Sequence, residues 1–108
     1  MKVPSRIKKT TKQLGLDRKD YGVLRLPDGL ETVGYDWFCD SNVEKVIVPN
    51  SVKVLDYAAF CCCEKLHEVV FEPGSCLERI EDGCFLACGL KKIIIPKSVK
   101  YIGDDAFE

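Results

Sequence analysis

The residues with the most obvious chemical potential are three consecutive cysteines, Cys61-Cys62-Cys63, followed by the chain's single histidine, His67. Thiolate and imidazole together suggest a zinc site or a thiol nucleophile with its base. Zinc needs a tetrahedral ligand set, usually from spaced pairs such as C-x-x-C. Consecutive residues in an extended segment instead point alternately to opposite sides, so the triplet cannot converge on one ion. A Cys–His nucleophilic pair needs a third group to orient the base, and no motif supplies one. Glu81-Asp82 and Asp104-Asp105 are paired carboxylates, but the Asp/Asn/Gly-dense loop of a calcium-binding EF-hand is absent, and a solvated convex face is expected there. No glycine-rich phosphate loop and no nucleophile elbow occurs. The chain therefore reads as a non-enzyme with no catalytic residues, no cofactor and no metal.

These residues sit inside a repeated phrase, and the phrase must position them. Leu24–Lys45, Val46–Glu68, Val69–Lys92 and the incomplete Ile93–Glu108 each carry an apolar triplet, a corner, an apolar pair three apart, and a phenylalanine. Such self-similarity at 22 to 24 residues is the mark of a solenoid. In Val46-Ile47-Val48 the β-branched residues favour a strand. Alternation sends Val46 and Val48 inward and Ile47 outward. Pro49 ends the strand, because it cannot donate to a ladder. Asp28-Gly29, Asn50-Ser51, Gly74-Ser75 and Lys97-Ser98 are turn material. Leu30 and Val33, Val52 and Leu55, Leu77 and Ile80, and Val99 and Ile102 then point inside. Phe38, Phe60, Phe85 and Phe107 are expected to stack as a central aromatic column. Gly34 and Gly103 are expected to relieve a backbone bend. The third repeat departs most: Glu72 stands where a proline belongs, and its Glu72–Cys76 corner is two residues longer.

With 46% apolar and 31% charged residues over 108 positions, the composition is that of one ordinary globular domain. Charge is uneven: residues 1–23 carry +5 and the remainder −6, for a net −1. A basic arm on an acidic body is compatible with binding nucleic acid or anionic lipid, and equally with docking on its own body or forming a solvated face. One aromatic, Tyr21, and no known motif leave nucleic acid disfavoured. Residues 1–23 read as a cap, with a short helix starting near Ser5 or a decayed repeat around Pro4 and Ile7, and Trp37 is expected to pack against them. Seven cysteines in a short chain suggest disulfides, yet Cys63, Cys84 and Cys88 fall at positions the repeat assigns to the core, so mostly free thiols are expected. No apolar run is long enough to span a membrane. No signal peptide precedes the repeats, which puts the chain in the cytoplasm if Met1 is the native start, and at the cell surface or secreted if it is part of a longer protein.

The phrase resembles the BspA-type leucine-rich repeat, also called the Treponema pallidum type, whose pattern runs roughly L-x-x-I-x-I-P-x-S-V-x-x-I-G-x-x-A-F-x-x-C. The resemblance covers Leu24–Phe107 and is closest in IIIPKSVKYIGDDAF, at Ile93–Phe107. It implies a right-handed leucine-rich solenoid of the α/β class, β-dominated with short strands and little helix. It further implies a protein-interaction module without shared catalytic residues, of a kind often found on microbial or protist surfaces. The candidate partner-binding face is the outward, concave side of the strands. One column there reads Arg25, Ile47, Val70 and Ile94; the row two residues earlier reads Lys45, Glu68 and Lys92, with His67 at strand entry. Three aliphatics rimmed by charge suit a partner's side chains; equally, strand preference alone accounts for β-branched residues there. The alternative function is assembly, pairing two chains through the open edge that an uncapped fourth repeat presents.

Overall fold

The computed structural model describes residues 22–108. The cap, the decayed repeat and the packing of Trp37 against them involve residues outside that range. Four coils follow one another, built from two parallel sheets and the turns between them. The first sheet contains β1 (Gly22–Arg25), β3 (Val43–Val48) and β5 (Glu68–Phe71), in that spatial order. The second contains β2 (Thr32–Val33), β4 (Val54–Leu55), β6 (Arg79–Ile80) and β7 (Tyr101–Ile102), also in order. No helix occurs among the described residues. The second sheet is not legible as strands in the sequence, because two-residue strands are too short to display an alternation.

Register follows the repeat. Leu24 lies against Val46 and Val46 against Val69; Val33 lies against Leu55 and Leu55 against Ile80. Identical repeat positions therefore stack, which buries Leu24, Val46, Val48, Val69, Val52, Leu55, Leu77 and Ile80 in one core. No single coil could enclose these side chains, so burial comes from coil on coil. The phenylalanines form the expected column, with ring centroids 5.3, 5.4 and 5.5 Å apart and planes within 15° of parallel. Cys63 and Cys84 are fully buried and Cys88 packs against the core, as the spacing indicates.

Three expectations need correcting. Ile93–Ile95 does not join the first sheet, although its three isoleucines are the strongest strand formers of any triplet. Gly34 and Gly103 have ordinary φ and relieve no bend; a Cβ at Gly34 would overlap the Trp37 indole, and one at Gly103 would overlap Asp82. Glu81 is not a solvated carboxylate. It is buried and held by Arg79, whose Nε donates at 2.6 Å and Nη2 at 3.4 Å. In addition, Ile102 and Phe107, assigned to the interior, stay nearly half exposed because no described coil covers the fourth.

The turn edge has a backbone regularity that the phrase does not advertise. Two residues before each phenylalanine, Asp36, Ala58, Gly83 and Asp105 all have φ between 53° and 65°, and two residues after, so do Asp40, Cys62 and Ala87. This left-handed geometry turns alternate N–H groups toward the next coil. Asp36 N donates to Tyr57 O, Ala58 N to Asp82 O and Gly83 N to Asp104 O. The three phenylalanine amides do the same at 2.8 to 2.9 Å.

Candidate interaction surface

The first sheet sets the outward face. Strand alternation turns Arg25, Ile47 and Val70 away from the core, and register places them side by side. Ile47 and Val70 are half-buried, so each retains apolar surface for contact. Lys45 lies against Glu68 in the adjoining row, with their charged atoms 3.7 Å apart. His67, exposed, enters β5; its backbone N donates to Glu44 O, and its ring Nδ1 lies 3.2 Å from Lys65 O.

Arg25 does more than rim this face. Its Nη2 donates to both Glu72 carboxylate oxygens, at 3.2 and 3.0 Å, and to Asp28 at 3.1 Å. The guanidinium thus spans from the first coil to the third, and its hydrogen bonds to Glu72 and then Asp28 raise its pKa. Glu72, the residue replacing the repeat proline, is what the arginine reaches. Lys92 and Ile94 are not in ladder register with Glu68 and Val70, and Ile94 is 78% exposed. The face as described therefore brings together Arg25, Lys45, Ile47, Glu68 and Val70, with His67 at its margin, and leaves Lys92 and Ile94 apart.

The cysteine triplet is pulled in different directions. Cys63 Sγ donates to Phe38 O at 2.9 Å, and Cys88 Sγ donates to Phe60 O at the same distance. These thiols satisfy carbonyls inside the turn edge. The neighbouring Cys88 thiol and then Ser41 pull the Cys63 pKa down against burial, yet its side chain has no access to solvent. Hydrogen bonding to Cys63, then burial, raises Cys88. Cys62 is raised chiefly by Cys61, whose sulfur is 3.4 Å away. No group of His, Cys, Asp and Glu among the described residues could hold a metal ion.

A second outward surface went unnoticed in the sequence. On the second sheet Arg79 lies over the Tyr101 ring, 4.2 Å from its centroid, and Tyr101 Oη donates to Asp82 at 3.2 Å. Tyr35 and Tyr57 stand exposed at the turn edge. Only the pairing of Arg79 with Tyr101 across β6 and β7 creates this cluster.

Parallel coils of leucine-rich spacing, a stacked phenylalanine column and an ion-paired outer sheet define a leucine-rich repeat solenoid. The chain belongs to the BspA type leucine rich repeat family, whose repeat region of six copies matches residues 20–108. It is similar to a solved T. pallidum leucine-rich repeat protein, at 31% identity and TM-score 0.74, over 83% of this chain and 44% of that one. It also shares its fold with the pneumococcal vaccine antigen PcpA, at 24% identity and TM-score 0.70, over 79% of this chain and 25% of that one. The chain thus spans less than half the length of either protein. No curated protein matches it. Membership in this family points to a protein-interaction or structural module, and the family and fold are typically non-catalytic.

Proposed function

We propose that the chain is a non-catalytic module that binds a partner protein through the outward face of the first sheet. The observation carrying this reading is that Ile47 and Val70 sit in register, half-exposed, on a sheet whose charged neighbours are already ion-paired. Rows of aliphatics held on a rigid ladder, with charges at the margin, offer contact area at little ordering cost. The paired charges then govern orientation more than affinity. The test is capture of the partner by the full chain and by Ile47→Glu/Val70→Glu. Loss of capture with an unchanged thermal midpoint supports the reading. Undiminished capture overturns it, and so does loss of the fold, which would assign both positions to the core.

A second reading, self-association, draws on the exposure of Ile102 and Phe107 on the fourth coil. Exposed apolar surface of this kind would suit a second copy. Light scattering decides the matter, since a strict monomer at high concentration removes self-association.

A further inference from the structure

The turn edge that follows each phenylalanine carries five of the chain's seven cysteines. Three residues after the phenylalanine stand Cys63 and Cys88, whose thiols are engaged with carbonyls of the preceding coil. One residue after it stand Cys39 and Cys61, and these two are part-exposed, as is the adjoining Cys62.

Backbone register stacks Cys39 on Cys61. Phe38 N donates to Ala59 O at 2.8 Å and Asp40 N to Cys61 O at 2.7 Å, so Cys39 is bracketed by two bonds to the coil that holds Cys61. The residues two before and two after each phenylalanine share the left-handed geometry, so both turns run alike and send equivalent side chains the same way. Chains joined at this interval lie about 4.8 Å apart. That falls within the roughly 4.4–6.8 Å that a disulfide needs between Cα atoms. The thiols themselves meet, since Cys61 is a hydrogen-bond partner of Cys39. Cys62 Sγ also lies close to Cys61, at 3.4 Å. As sequence neighbours across a trans peptide, however, Cys61 and Cys62 have Cα atoms only about 3.8 Å apart, too near for an unstrained bridge.

We propose that Cys39 and Cys61 are an oxidisable pair, closed by peroxide into a disulfide that staples the first coil to the second at the turn edge. Burial, and then the hydrogen bond to Asp36, push the Cys39 pKa up to about 12 and hold it as the thiol, so the reaction starts at Cys61. The Cys61 thiolate attacks one peroxide oxygen, the O–O bond breaks, and the departing hydroxide takes up a proton to leave as water. The product is a Cys61 sulfenic acid. The Cys39 sulfur then attacks the Cys61 sulfur, the S–O bond breaks, and a second water leaves. The Asp36 carboxylate, hydrogen-bonded to the Cys39 thiol, is placed to take its proton in that step and pass it to the leaving hydroxide. The two thiols give up two hydrogens and two electrons, and the peroxide is reduced to water.

The test treats the dilute full chain with hydrogen peroxide, blocks the remaining thiols, and digests with trypsin without reduction. Cleavage after Arg25, Lys45, Lys53 and Lys65 leaves Cys39 in residues 26–45 and Cys61 in residues 54–65. Mass mapping should find these two peptides joined by a link that a reductant breaks. The link should persist in Cys62→Ser and vanish in Cys61→Ser. The oxidised chain should also melt at a higher temperature than the reduced one, because the bridge restrains the unfolded chain. Peptides that stay separate overturn the pair, whether Cys61 remains a thiol or runs on to the sulfinic acid. An undiminished link in folded Cys61→Ser overturns it as well. Should a substitution prevent folding, fragmenting the joined peptides of the unaltered chain locates the bond directly, and a bond at Cys62 or Cys63 overturns the assignment.

Discussion

At the scale of single residues, the cysteines behave as small apolar units whose polar atom has a specific task. Cys63 and Cys88 pack in the core and use their thiol hydrogens on phenylalanine carbonyls one coil away. The core placement was legible because the repeat fixes it; the hydrogen bonds were not, because they depend on how the left-handed turns set one coil's carbonyls against the next coil's thiols. Cys84 occupies the position that Ala59 and Ala106 fill in neighbouring coils, and burial raises its pKa strongly. Cys39 is pushed up to about 12 by burial and then by its hydrogen bond to Asp36. A thiol raised in the folded state favours folding fully below its unfolded pKa of about 8.5 and loses that contribution as pH rises toward the folded value. The unfolding free energy obtained from urea melts should therefore fall as pH rises above about 9, by up to about 1.4 kcal/mol per pH unit for the buried Cys84 thiol. Cys84→Ala should cost only about 1 kcal/mol at neutral pH, given the tolerance of small residues there, and should flatten that alkaline decline. Urea melts of both proteins at neutral and alkaline pH check it.

At the scale of elements, the turns decide more than the strands. The apolar triplets announce β1, β3 and β5 by composition alone, since β-branched residues and a terminating proline leave few alternatives. The turn edge announces nothing of the kind. Ala58 holds φ at 53°, a conformation that costs an L-residue roughly 1–2 kcal/mol, so that its N–H can reach Asp82 O. Gly83 fills the same position in the next coil without that cost. Ala58→Gly should thus raise stability by about 0.5–1 kcal/mol, opposite in sign to the usual effect of the change. Thermal denaturation is the check, and a lowered midpoint would contradict the strain. Gly34 and Gly103 show the complementary case. Their need for glycine is spatial, set by Trp37 and Asp82, and the bend inferred from the repeat was the wrong reason for the right residue.

At the scale of the whole molecule, stability is shared by stacking, and position in the stack sets its size. Phe60 is enclosed between Phe38 and Phe85, whereas Phe107 contacts one ring and remains 41% exposed. Phe60→Ala should cost about 3–5 kcal/mol and Phe107→Ala less than half as much. Equilibrium unfolding of the two variants measures the gradient; equal costs would mean that the fourth coil is covered in solution.

The sequence by itself determined the repeat length, the inward and outward strand positions, the aromatic column and the family. All of these follow from periodicity, and periodicity survives in one dimension. Tertiary structure alone decided the second sheet, the seating of Glu81 under Arg79, the cross-coil pairing of Arg25 with Glu72, and the exclusion of Ile93–Ile95 from the first sheet. Each of those depends on how one coil meets the next.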